Sequence, residues 1–222
     1  MATASISLER EIPATEEPIA FVGERLWLDF VNSDDAARNR KGVRIDSLDS
    51  FDDFVRWLSA ARVLDAERAL AMIHRAKEQP TGASAALHEA RRIRNVLRAL
   101  AERGGAPAER ATSTAIGEIN RILGRSAGTR RVEPSADGGF VRNFVTVGDV
   151  YAGLLIPVIE SAADALVNGE LERVHRCADP RCARVFFDGS RNGKRRWCEM
   201  ATCGNRAKAS RHRRKVASGV GA

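Results

Sequence analysis

From Ser47 onward, apolar positions recur at the spacing of helices. Phe51, Phe54, Val55 and Leu58 fall at i, i+3, i+4 and i+7, with Ser47 and Asp49 placed to cap the start. The pattern predicts a second helix over about 65–77, with Leu70 and Ile73 inward, and a break at Pro80 to Gly82. A third and longest helix is expected over about 84–103, with an inward stripe of Leu87, Ile93, Val96, Leu97 and Leu100 and a stop at Gly104–Gly105. A fourth begins near Pro107 and carries Ile116, Ile119, Ile122 and Leu123. The period then changes. Val132–Glu133 and Phe140–Phe144 flank Asp137-Gly138, a hairpin turn signal. A fifth helix is expected over about 149–168. Its apolar residues cover more than half its circumference, which places it centrally in a bundle, and Gly169 supplies its stop. The run FVGERLWLDFVNS, Phe21 to Ser33, fits a strand or a short helix equally well. Residues 34–46 read as a polar loop.

The cysteines change this picture of an ordinary helical bundle. Cys177, Cys182, Cys198 and Cys203 are the chain's four cysteines, spaced C-x4-C, fifteen residues, C-x4-C. Two close thiol pairs at this separation are the sequence form of one structural zinc site, Zn2+ held by four thiolates. The N-terminus, with no apolar h-region and several Glu residues, predicts a cytoplasmic protein, where thiols stay reduced. No apolar run reaches the ~20 residues that span a bilayer, so no membrane partner is expected. Val185 to Phe187 forms a short apolar strand able to cover the metal, and a final helix follows Cys203. His175 and His212 are spare donors beside a set already closed at four. A closed set also argues against catalytic zinc, and the deaminase H-x-E with P-C-x-x-C is absent.

The expected fold is therefore mainly α with a small β-hairpin, an α+β arrangement. Residues 1–19 form a flexible arm, 20–170 a helical domain, and 173–218 a small treble-clef-like four-cysteine zinc finger. That finger is too small to build its own core, so metal supplies folding energy.

Charge adds a partner. The chain of 222 residues carries +7 overall, but Arg173 to the end holds 14 Lys/Arg against 3 Asp/Glu, a net +11, and residues 1–172 are net −4. A positive field confined to a small zinc module is the footprint of a nucleic-acid binder. Arg206, Lys208, Arg211, Arg213, Arg214 and Lys215 lie on the final helix, and Arg195 and Arg196 on the loop between the cysteine pairs. Arginine suits bidentate contacts to phosphate or guanine. The first reading is thus a DNA-binding protein, not an enzyme. An RNA-binding zinc protein is the nearest alternative, and an enzyme housed in the helical domain, with zinc purely structural, is the next. Residues 1–172 hold no nucleophile–base constellation and no phosphate-cradling glycine loop.

Several of these residues carry a family resemblance. Cys177-x4-Cys182, the F-x-D-x-S stretch Phe186 to Ser190, Arg195-Arg196-Trp197-Cys198-x-Met200, and Cys203-Gly204-Asn205-Arg206 with Lys208 resemble the CGNR zinc finger. FVGERLWLDFVNS resembles the start of the ABATE domain, and together the two cover nearly the whole chain. Matching positions are Gly23, Leu28, Asp29, Phe30, Asn32 and Arg94. Ser33 departs from the family's Thr but keeps the hydroxyl. The resemblance implies a bacterial stress-response transcription regulator. Its finger would bind DNA and its N-terminal domain would sense a small organic ligand, with Asp29, Asn32 and Arg94 as ligand-binding positions. The same residues also suit structural roles: Gly23 a turn, Asp29 and Asn32 backbone hydrogen bonding, Arg94 an ion pair at the core edge. A homodimer through the helical domain would give a single finger the reach that specificity needs.

Overall fold

The computed structural model describes residues 19–35, 45–102, 108–125, 128–134 and 139–218. Most of the N-terminal arm and of the polar loop, the Gly104–Gly105 stop, Pro107 and the Asp137-Gly138 turn lie outside the described residues. The bounds of the helical elements follow from local chemistry. The undecided run after Phe21 is a helix, α1 (Leu26–Asn32), with Trp27, Leu28, Phe30 and Val31 all buried. It is apolar nearly all round because it runs through the middle of the bundle. A two-residue bridge follows, β1 (Asp34–Asp35) with β2 (Ile45–Asp46). Next come α2 (Phe51–Ala60), α3 (Ala66–Glu78), α4 (Pro80–Glu102) and α5 (Ala108–Arg125). The hairpin β3 (Gly128–Pro134) with β4 (Phe140–Thr146) pairs antiparallel over seven positions. Then come α6 (Ile156–Val167), a 3₁₀ turn at Glu170–Arg173, and the antiparallel strands β5 (Val174–Arg176) and β6 (Val185–Phe187). A π-helical turn, Met200–Gly204, runs into α7 (Asn205–Ala217). The fold is mostly helical.

Three boundaries differ from the sequence expectation. The cap of α2 is Ser50, three residues past Ser47: its hydroxyl accepts the Asp53 amide at 3.1 Å, and the Asp53 carboxylate accepts the Ser50 amide at 2.9 Å. Such a reciprocal box satisfies two orphan donors at once and outcompetes a lone cap. Pro80 to Gly82 does not break the chain's helices. The break is Gln79, and Pro80 opens α4 at the position where its missing N–H costs nothing. Gly82 lies inside α4 because the Tyr151 ring packs there, 2.9 Å from where a Cβ would stand. The fifth predicted helix begins seven residues late, since 149–155 form turns before Ile156. It ends as expected, with Gly169 left-handed at φ +66°.

One core lies among α1, α2, α4, α5 and α6. Trp27, Phe30, Phe54 and Trp57 are fully buried in it, and Phe30 meets the Trp57 ring edge-on at 5.1 Å. The same core includes Val185 and Phe187, whereas Phe186 belongs to a second cluster with the four cysteines and Trp197. Alternate side chains of a strand point to opposite faces. The three residues of β6 therefore serve two cores.

The joint between the two is polar as well as apolar. The Asn32 amide donates to the Val185 carbonyl at 2.8 Å and accepts the Val185 N–H at 2.9 Å. The Phe187 N–H donates to the Gly23 carbonyl at 2.9 Å. Arg98 donates to the Val31 carbonyl at 2.7 Å and the Ala183 carbonyl at 3.3 Å. Arg25 lies 3.9 Å over the Phe187 ring while holding Glu170 through two 2.7 Å bonds.

Replacing Asn32 by Ala strands both backbone groups of Val185 without partners. An Asn32→Ala chain is expected to lose about 2–4 kcal/mol in urea unfolding, and Asn32→Asp, which accepts but cannot donate, is expected to be no better. A change under about 0.5 kcal/mol, the usual surface effect, would contradict the joint.

Candidate metal centre and basic helix

The first cysteine pair sits on a knuckle closed by Asp179. Its carbonyl accepts the Cys182 N–H at 2.9 Å, and its buried carboxylate accepts the Arg181 N–H at 3.0 Å. The second pair brackets the π-helical turn, which Glu199 ties back through the Gly204 N–H at 3.2 Å and the Thr202 hydroxyl at 2.9 Å. The Met200 side chain packs over Gly204, with its sulfur against the point where a Cβ would stand, so a larger residue there would displace that exposed, flexible side chain. The loop between the pairs is organised by Asp188, which accepts the Ser190 and Arg195 amides at 2.8 Å each. The Ser190 hydroxyl foremost, and then these amides, hold its carboxyl down at about 2.

These turns bring four buried sulfurs together, all within 4.8 Å of one another and none in a disulfide. Cys182 and Cys198 are 3.8 Å apart, and Cys198 and Cys203 3.7 Å. A tetrahedron with Zn–S of about 2.3 Å has an edge of ~3.8 Å, so these two pairs already have that edge length. Their ionisation conflicts without a cation. The hydrogen bond from Cys198 pulls Cys182 down to about 5, which pushes Cys198 up; burial and the neighbouring thiolates push Cys203 up. A dication removes the conflict and, with four protein ligands, leaves no open position. The site is a structural zinc centre held by Cys177, Cys182, Cys198 and Cys203.

The basic residues divide into two sets. Arg195 turns inward: it lies 4.5 Å over the Phe186 ring, donates to the Trp197 and Cys198 carbonyls at 3.0 and 2.5 Å, and pairs with Glu24 of the helical domain. Arg206 is exposed but engaged, donating to the Asp179 carboxylate at 2.7 Å and the Cys203 sulfur at 2.9 Å. Arg196 is exposed, its guanidinium 5.2 Å over the Trp197 ring. Lys208, Arg211, Arg213, Arg214 and Lys215 are exposed, and among the described residues none takes an ion pair. Lys208, Arg211 and Lys215 recur at i, i+3 and i+7 and so share one face of α7. His212 is exposed on α7, and His175 stands against the Phe186 ring, outside the metal cluster.

Asp29, Asn32 and Arg94 are all engaged internally. Asp29 accepts the Gly23 N–H at 2.7 Å, and at Gly23 a Cβ would meet Leu28 and Asp29 backbone or side-chain atoms at 2.8 Å. Arg94 is buried and bidentate to Asp46, both bonds 2.6 Å, with Ser33 at 3.3 Å. The sequence reading missed Glu24, Arg25, Arg98, Asp179 and Glu170. Each acts on a partner far away in the chain, so no local pattern marks them.

A helical domain bearing a closed four-cysteine zinc centre defines a zinc-finger protein. Comparison with family models sharpens this. Residues 24–169 match ABATE, described as a "putative stress-induced transcription regulator", and residues 173–216 match the CGNR zinc finger. The chain belongs to the ABATE family, here followed by a CGNR finger. No curated protein matches the chain. Among the described residues no helix is long and apolar enough to cross a membrane.

Burial raises the Asp29 carboxyl to about 6 from its ordinary 3.8. A raised pKa means the folded chain holds this proton more tightly than the unfolded one. That contribution is complete below pH ~4 and is lost as pH rises through about 6, a span of on the order of 2–3 kcal/mol. Asp29→Asn keeps an acceptor for Gly23 without the charge. The stability difference between wild type and Asp29→Asn is expected to change over pH 4–6 in urea titrations; parallel profiles would contradict the assignment.

Proposed function

We propose that this regulator binds duplex DNA through α7 and the Arg196 loop, with zinc fixing the finger that presents them. The observation that carries the reading is the set Lys208, Arg211, Arg213, Arg214 and Lys215. It is a helix of exposed cations with no acidic partner among the described residues, on a module of net +11. An isolated helix of like charges is destabilised by its own repulsion, which bound phosphates relieve while releasing counterions. From Arg211 to Ser218 every residue is exposed, so this part of α7 is free to enter a groove. A major groove about 12 Å wide admits a helix.

The helical domain is the sensing part in this reading. Asp29 and Asn32 would act through the joint, since their hydrogen bonds run to Gly23 and Val185, and Arg94 would act within the helical domain through Asp46. Among the described residues, a cavity of about 610 Å³ lined by Phe54, Gly82, Ala86, Arg125, Tyr151 and Leu155 offers space for a small organic ligand.

Six cations reaching phosphates give a slope of log K against log salt of about −5. Duplex binding by the zinc-loaded chain across a salt series is expected to show that slope, with duplex RNA bound more weakly and light scattering counting the chains per complex. No duplex DNA binding at low salt with zinc in place contradicts the reading, and preference for RNA replaces it with the RNA-binding alternative.

A further inference from the structure

The direction of α7 is set by very little. Its first residues follow buried Cys203 and Gly204, and Ala207 and Ser210 are half-buried, but every residue from Arg211 to Ser218 is exposed. The helix has no side-chain N-cap. At ~1.5 Å per residue its thirteen residues span ~20 Å, so a tilt of about 10° moves the far end by about 3 Å. Asn205 donates only to the Ala201 carbonyl of the turn just before the helix, at 3.0 Å, and among the described residues the polar brace that reaches the first knuckle is Arg206, in the first turn. Its Nε donates to Asp179 Oδ2 at 2.7 Å, across the finger on the first knuckle, and its Nη2 donates to the Cys203 sulfur at 2.9 Å. A cation in the first turn opposes the helix dipole. Here the buried carboxylate and the thiolate offset that cost, and the guanidinium fork fixes a direction that a lysine could not.

Resting on the DNA reading above, we propose that Arg206 and Asp179 are positioning residues. Their pair ties the start of α7 to both knuckles, so that the assembled zinc centre fixes where Lys208, Arg211 and Lys215 are presented. The signature Arg of this finger serves the angle of the helix and not a phosphate.

The test turns on a sign. Asp179→Asn removes a negative charge from the DNA-binding module. If Asp179 only repels phosphate, or only competes for Arg206, the full-length variant binds duplex DNA as well as or better than wild type. The brace requires the opposite: affinity weaker by about tenfold, the scale of one lost charge-assisted hydrogen bond. Zinc per chain, measured by metal analysis, is expected to be unchanged, and amide exchange in the first turn of α7 faster. Arg206→Lys keeps the charge and is expected to weaken binding likewise. Two results overturn the proposal: unweakened binding by Asp179→Asn, or full affinity in Arg206→Lys with Arg206→Ala losing only the ~0.9 of salt slope owed to one phosphate. If zinc-loaded wild type binds no duplex, the DNA reading falls by itself. Exchange then decides the brace, and unchanged exchange in Asp179→Asn overturns it.

Discussion

The alternation of β6 is the constraint on which the rest depends. A strand sends successive side chains to opposite faces, and β6 is three residues long. Val185 and Phe187 therefore enter the helical core while Phe186 closes over the cysteines. Neither core can be completed without the other. The finger has too few apolar residues to fold around itself, and its metal centre supplies the missing energy. The helical domain in turn borrows two of its buried side chains from the finger.

The signature near the N-terminus takes its meaning from this joint. Gly23 gives its carbonyl to Phe187, Asp29 holds the Gly23 amide, and Asn32 pairs with both backbone groups of Val185. Glu24, left-handed at φ +60°, reaches Arg195 on the loop between the cysteine pairs. Arg25 stacks on Phe187 while held by Glu170. Of the three residues that suggest a ligand site in sequence, Asp29 and Asn32 hold the seat of the finger, while Arg94 pairs with Asp46 in the helical domain. A regulator built in this way has a direct route between its domains, since any event that shifts α1 bears on the strand that carries the metal centre.

What was legible in the sequence was what is local. Helical period marked α2 to α5, the Asp-Gly signal marked the hairpin, and cysteine spacing marked the metal centre. Pro80 was misread because proline both ends helices and opens them, and only the position of Gln79 separates the two. Ser47 and Asp49 look like caps in sequence and Ser50 does not stand out, because its reciprocal bond with Asp53 depends on side-chain geometry. β5 escaped notice: Val174–Arg176 is too short for a period and becomes a strand only because β6 pairs with it. Asn32 and Val185 are 153 residues apart, and no pattern along one chain links them. Likewise, charge alone grouped Arg195 and Arg206 with the unpaired cations of α7, whereas Glu24, Asp179 and Cys203 engage them.

The most direct test of the shared strand is amide hydrogen exchange on the zinc-loaded chain and on the same chain after chelation. If β6 completes both cores, removing zinc lowers protection not only in the finger but also along α1, at residues that never approach the metal. Loss of protection confined to residues beyond Arg173, with α1 unchanged, would contradict the account.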